Sequence, residues 1–98
     1  MTPLTLNISD KTTVLSGDLN SATVATISSK HQAKIVNSKQ MTLDLSDVKD
    51  VDTAGLAWLL YLVEQALNTK CQLTFAHLPD DLLKLAQLSA VDDFLMTA

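Results

Sequence analysis

Apolar and polar residues alternate along PLTLNI, residues 3–8, and the alternation stops at the turn residues Ser9, Asp10 and Lys11. A period of two belongs to a half-buried strand. TTVLSG, residues 12–17, continues as a second short strand closing at Gly17, so the chain opens with a predicted hairpin. Residues 18–36, DLNSATVATISSKHQAKIV, place Leu19, Val24, Ile27, Ile35 and Val36 at roughly helical spacing. Asp18 or Asn20 can cap this helix, although its serines, threonines and β-branched residues are weak helix formers. Alternation returns in MTLDLSDV (41–48) and CQLTFAHL (71–78), which predict a third and a fourth strand. PDDLLKLAQLSAV (79–91) predicts a last helix, with Pro79 in its first turn and Asp80 and Asp81 complementing its dipole. DDFLMTA (92–98) follows as a short tail, helical or frayed. The order is ββαβαβα, an α/β domain whose helical crossovers make the later strands parallel.

The strongest helix lies between the third and fourth strands. Residues 56–67, LAWLLYLVEQAL, hold only two polar side chains, Glu64 and Gln65. With Leu56 at zero and a rotation of about 100° per residue, Leu59, Leu60, Val63 and Leu67 fall within roughly 60° of it. That stripe predicts the face on the sheet. Ala54, Ala57, Trp58, Tyr61, Gln65 and Asn68 fall on the opposite side. The only tryptophan and the only tyrosine then sit three residues apart on a face the core does not claim. Either they lie against a neighbouring loop of the same domain, or they form a partner surface. Interface centres favour Trp and Tyr and exclude charge, which favours the partner.

A polar turn, Asp50, Val51, Asp52, Thr53, precedes this helix. Asp52 or Thr53 can be the N-cap. A capping box would need Glu or Gln three residues on, where Gly55 and Leu56 stand. Glycine in a first helical turn costs up to about 1 kcal/mol relative to alanine. Gly55 therefore implies a sharp bend or the close approach of another chain's backbone. Thr53 presents a hydroxyl at a helix N-terminus, where a phosphate is electrostatically favoured. Asp44, Asp47, Asp50 and Asp52 nearby in sequence oppose a dianion, and their spacing does not match a calcium loop.

Composition narrows the classes of function. The 98 residues make one domain, 1–98, with 47% apolar and 18% charged residues and a net charge of −4. All seven basic residues are lysine, so arginine forks for nucleic acid are lacking and that partner is excluded. No basic amphipathic face suits a membrane surface, and the longest apolar run is too short to span a bilayer, so no direct membrane insertion is expected. The N-terminus lacks a basic region followed by an apolar one, so no signal peptide is expected. One cysteine, Cys71, in an apolar run reads as a buried small hydrophobe in a reducing, cytoplasmic setting. There is no P-loop, paired-histidine metal motif or nucleophile elbow, and two glycines cannot build a phosphate cradle. His31 and His77 read as structural or solvated. No catalytic, metal-binding or cofactor-binding residue is expected, and the chain does not read as an enzyme.

LDLSDVKDVDTAGLAWLL, residues 43–60, resembles the core signature of the STAS domain family: a strand, an Asp-Ser/Thr-x-Gly-Leu turn and a helix. LSGDLN (15–20) resembles the family's strand-end Gly-Glu-Leu-Asp, and LTFAHLPDDLLKLAQLSAV (73–91) its fourth strand and third helix. The resemblance implies a STAS-like small mixed four-stranded sheet packed on helices. The chain departs from the family pattern with Thr53 for Ser, Ala54 after it, Asn20 for Asp and Ala90 for a glycine common near the third helix's end. Within the family, the short length and VDTAGLAWLLYLVEQA look most like the cytoplasmic STAS subunit of a bacterial phospholipid-transport ABC system. That likeness implies a non-enzymatic regulatory or assembly subunit that binds an ABC transporter ATPase, peripheral to the inner membrane. The expected partner-binding residues are Asp52, Thr53, Ala54, Gly55, Ala57, Trp58 and Tyr61. Other STAS proteins are anti-sigma-factor antagonists, and there the position of Thr53 is the one phosphorylated by a kinase partner. Thr53 is accordingly a possible phosphoacceptor under the alternative reading.

Overall fold

The computed structural model describes residues 3–91; the tail DDFLMTA lies outside the described residues. Strands β1 (Thr5–Ile8) and β2 (Thr12–Leu19) form the expected antiparallel hairpin, with Leu6 opposite Leu15 and Ile8 opposite Thr13. β3 (Gln40–Val51) runs parallel to β2, and β4 (Gln72–Ala76) runs parallel to β3. The sheet order is β1-β2-β3-β4. The helices are α1 (Ser21–Val24), α2 (Ser29–Val36), α3 (Thr53–Thr69) and α4 (Asp80–Leu88).

The expected architecture is present, with one refinement. The single helix predicted over residues 18–36 is two, α1 and α2. Hydroxyl side chains interrupt it by bonding to nearby backbone. Thr26 donates its hydroxyl to the Thr23 carbonyl (2.6 Å), and Ser28 then starts α2 by accepting from the His31 N–H (3.3 Å). Asn20 caps α1, its side chain accepting from the Ala22 and Thr23 amides at 3.0 Å each.

One face of the sheet is buried. Thr13, Leu15, Gly17 and Leu19 of β2 alternate inward, as do Met41, Leu43 and Leu45 of β3 and Leu73 of β4. The other face carries half-buried Val14, Ser16, Thr42, Asp44 and Thr74. Thr13 is fully buried, and its hydroxyl points at the Met41 sulfur, 3.3 Å away. β3 gains an extra residue against β2 between Asp44 and Asp47, and another between Val48 and Val51. The first bulge shifts the inward phase from Leu45 to Val48. Gly17 sits at the second irregularity with φ of 104°, a left-handed conformation that glycine adopts without Cβ strain.

The azimuth of α3 differs from the expectation. Gly55, Leu59, Leu62 and Ala66 form the buried stripe, joined by Leu56 and Trp58. Leu60 and Val63, expected on the core face, are half-buried, and Leu67 is 74% exposed. Trp58, expected on the outer face, is only 7% exposed. The cause is Gly55. A Cβ there would collide with the Leu19 carbonyl oxygen and lie 2.9 Å from both the Leu19 carbonyl carbon and Cγ. The missing Cβ thus lets the first turn of α3 rest on the end of β2, and this fixes which side of the helix faces the sheet. α1 and α2 also pack against α3, so its buried arc is wider than a sheet alone would make.

Both α3 and α4 end in Schellman-type reversals with a non-glycine residue in the left-handed position. Lys70 has φ of 59°, and Cys71 N–H bonds to the Ala66 carbonyl (2.8 Å). Ala90 has φ of 58°, and Val91 N–H bonds to the Ala86 carbonyl (2.9 Å) while Ala90 N–H bonds to that of Gln87 (3.1 Å). Ala90 thus stands at a position that glycine fills without Cβ strain.

Two stability changes of opposite sign follow from these backbone positions. Gly55→Ala should cost about 3 kcal/mol in urea unfolding, because the obstruction is backbone and cannot swing aside. An unchanged midpoint would mean that α3 is not seated on Leu19. Ala90→Gly should stabilise by about 0.5–1 kcal/mol, seen as a Tm higher by a few degrees, since glycine removes the Cβ strain at positive φ. A lower Tm would contradict the left-handed assignment.

Candidate functional site

The site is built at the junction of β3 and α3. Asp52 N–H donates to the Leu19 carbonyl (3.2 Å), which ties the turn to the neighbouring strand. The Asp52 carboxylate accepts from the Gly55 amide (3.0 Å), and its own carbonyl accepts from Leu56 N–H (3.0 Å). Asp52 is therefore the N-cap, as one of the two candidates expected for that role. Its acceptor capacity is partly engaged in holding the helix start.

Thr53 is the first residue of α3 and is exposed. Ala57 and Tyr61 follow at intervals of four and are also exposed, with Tyr61 at 45%. These three share one side of the helix. Half-buried Ala54 borders them. The surface is thus small and uncharged at its N-terminal end and aromatic one turn further on. Tyr61 and Gln65 meet Ser29, Gln32, Ala33 and Val36 of α2 around a small groove.

Two of the expected site residues point elsewhere. Gly55 is buried against its own β2 and offers nothing to an outside chain; the close backbone approach inferred for it is intramolecular. Trp58 belongs to the core cluster, and its Nε1 is buried without a hydrogen-bond partner among the described residues. Trp58 faces inward, contrary to the expectation, because the side of α3 that carries Gly55, Leu59, Leu62 and Ala66 is buried in place of the side that carries Leu60, Val63 and Leu67. Sequence reasoning also missed a second apolar surface, a groove lined by Leu60, Val63, Glu64, Leu67 and Val91. Its signal was already visible, since residues 56–67 are oily over more of the helix than one core face requires.

Of the aspartates near the turn, Asp44 has a specific structural task. Its Oδ1 accepts from the Ser46 amide (2.9 Å), inside the first bulge of β3, and lies 3.0 Å from His77 Nδ1. His77 follows β4 at φ of 57°, so the carboxylate joins the bulge to the end of the neighbouring strand. The bonds from Ser46, with a further contribution from His77, hold the Asp44 carboxyl below its ordinary value of 3.8. Cys71 is buried as expected, and burial pushes its thiol up. Among the described residues, no cluster of three or more His, Cys, Asp or Glu could hold a metal ion. No described helix is long and apolar enough to cross a membrane.

Because the folded carboxyl ionises more readily than the unfolded one, its stabilisation is present above the unfolded value and fades as pH falls through the folded one. The stability difference between the wild type and Asp44→Asn should therefore shrink between about pH 5 and about pH 2 in urea titrations. A difference independent of pH would show that the carboxylate charge does not support the bulge.

A sequence model of the family described as "Mlab, STAS domain" matches residues 4–97. Among curated proteins, none matches the sequence. Among solved structures, one similar chain is described as "Structure of the Anti-Sigma Factor Antagonist SpoIIAA in its Unphosphorylated Form". It superposes with a TM-score of 0.71 at 17% identity, over 97% of this chain and 87% of that one. At that identity the likeness concerns the fold, and the fold is the STAS fold. With the match running from the first strand past the last described helix, the chain belongs to the Mlab-type STAS domain family.

Proposed function

We propose that this chain is a non-enzymatic regulatory or assembly subunit that binds the ATPase of a bacterial phospholipid-transport ABC transporter, of the kind that maintains outer-membrane lipid asymmetry. On this reading it works in the cytoplasm, held at the inner membrane through the transporter complex. The family description supports the class of system. The observation that carries the docking surface is the exposed line of Thr53, Ala57 and Tyr61 on α3. A rigid helix with two small side chains ahead of an aromatic one admits a partner closely and then offers an anchor. Ala54 extends the surface. Asp52 and Gly55 act beneath it, by capping the helix and by setting its azimuth. Trp58 supports the surface from the core and does not belong to it.

The test separates surface from fold. Ala57→Arg lies on the exposed side and leaves the core intact, so folding should be preserved while affinity for the cognate ATPase falls at least tenfold, or about 1.4 kcal/mol. Thr53→Arg should do the same, whereas Leu88→Arg on an exposed part of α4 should bind as the wild type does. Retained binding by both α3 variants would sink the proposal.

The exposed Thr53 at the helix start also suits the second reading, an anti-sigma-factor antagonist switched by a kinase partner. Intact mass after incubation with the cognate serine/threonine kinase decides it. The mass should rise by one phosphate, and no rise removes that reading.

A further inference from the structure

Residues 19–43 contain no Asp or Glu, although the chain as a whole carries a net charge of −4. Every residue of fixed charge in that stretch is a lysine: Lys30, Lys34 and Lys39. The stretch includes α1 and α2, which flank α3. Lys30 and Lys34 are exposed and lie one turn apart on α2. Neither forms an ion pair among the described residues. Lys34 has a local task, since it complements the C-terminal end of the α2 dipole. Lys30 has none of that kind. It stands in the first turn of α2, where an acid is favoured and a cation is opposed. A lysine held against the field of its own helix suits a negative charge outside the chain.

The side of α2 toward α3 is different. Ser29, Gln32, Ala33 and Val36 meet Tyr61 and Gln65 there around the small groove, and none of the six carries a charge. Ser29 and Ala33 are exposed and small, so this side of α2 admits close approach, as Ala57 does on α3. Tyr61 belongs both to the groove and to the exposed line that begins at Thr53, so the two surfaces are continuous. We propose that the docking surface extends across this groove onto α2 and takes an acidic segment of the ATPase, whose carboxylates meet Lys30 and Lys34 while an apolar side chain enters the groove beside Tyr61. This rests on the reading of α3 as the ATPase-binding surface. In an otherwise acidic chain, a lysine edge beside an uncharged groove sets the partner's orientation and speeds encounter.

Association and dissociation rates of the full chain with the purified cognate ATPase test the extension, measured at about 0.05 M and about 0.5 M salt. Lys30→Glu combined with Lys34→Glu should slow association about tenfold at low salt and less than about threefold at high salt. Lys11→Glu combined with Lys84→Glu makes the same change in net charge from exposed positions on other parts of the fold, and should slow association less than about threefold at either salt. Ala33→Arg should lower affinity at least about tenfold through faster dissociation, despite its added positive charge. The Tm of the free Lys30→Glu chain should stand at or above the wild-type value, because an acid suits that turn, so its binding defect is not a folding defect. Wild-type rates in the Lys30 and Lys34 variant, a slowing that salt does not reduce, or an equal slowing in the Lys11 and Lys84 control would overturn the proposal. Ala57→Arg keeps the two readings apart. If it weakens binding while the α2 variants bind as the wild type does, the α3 surface stands and its extension falls. If it binds normally, the α3 surface falls and the extension with it.

Discussion

At Gly55 the first turn of α3 lies so near the carbonyl end of Leu19 that no Cβ would fit between them. This is a contact between a helix and the edge of a strand terminus, possible only because one residue has no side chain. Around it the Leu19 carbonyl also accepts from Asp52, and the Asp52 carboxylate accepts from Gly55, so strand end, turn and helix start form one unit. Everything that follows along α3 inherits its azimuth from this unit. With Gly55 down, Leu59, Leu62 and Ala66 face the sheet, and Thr53, Ala57 and Tyr61 face out.

This constraint explains why so oily a helix can stand behind so polar a turn. The turn holds the helix in a fixed rotation, and the apolar residues are shared among different tasks. One stripe packs on the sheet, Trp58 extends the buried arc on a helix that α1 and α2 also flank, and Leu60, Val63 and Leu67 line a groove of their own. A helix with a single apolar stripe would need only the first. β3 uses a related device at its far end, where bulges and the Asp44 carboxylate bring the strand to the turn in the required phase.

Most of the architecture was legible in the sequence, because strand alternation and short connections leave few topologies. The hairpin turning at Ser9, Asp10 and Lys11, the parallel later strands and the last helix after Pro79 were all visible in local pattern. The split of α1 from α2 was not, since it depends on the Thr26 and Ser28 hydroxyls bonding to backbone. The rotation of α3 was misread for a different reason. Hydrophobicity cannot tell which of two apolar sides meets the sheet when both are rich in leucine. Gly55 carried that information: taken as the point of closest approach, it aligns Leu59, Leu62 and Ala66 beneath it and turns Trp58 inward. The family resemblance, in contrast, was legible from the turn and its flanking strand alone.

If α3 presents Thr53, Ala57 and Tyr61 to an ATPase while Trp58 stays in the core, hydroxyl-radical footprinting of the chain with and without that ATPase reads the arrangement directly. Tyr61 oxidation should fall sharply on complex formation. Trp58 should be protected in both states, and Leu88 should remain reactive in both. Tyr61 equally reactive in the free and bound chain, or Trp58 reactive when the chain is alone, would contradict it.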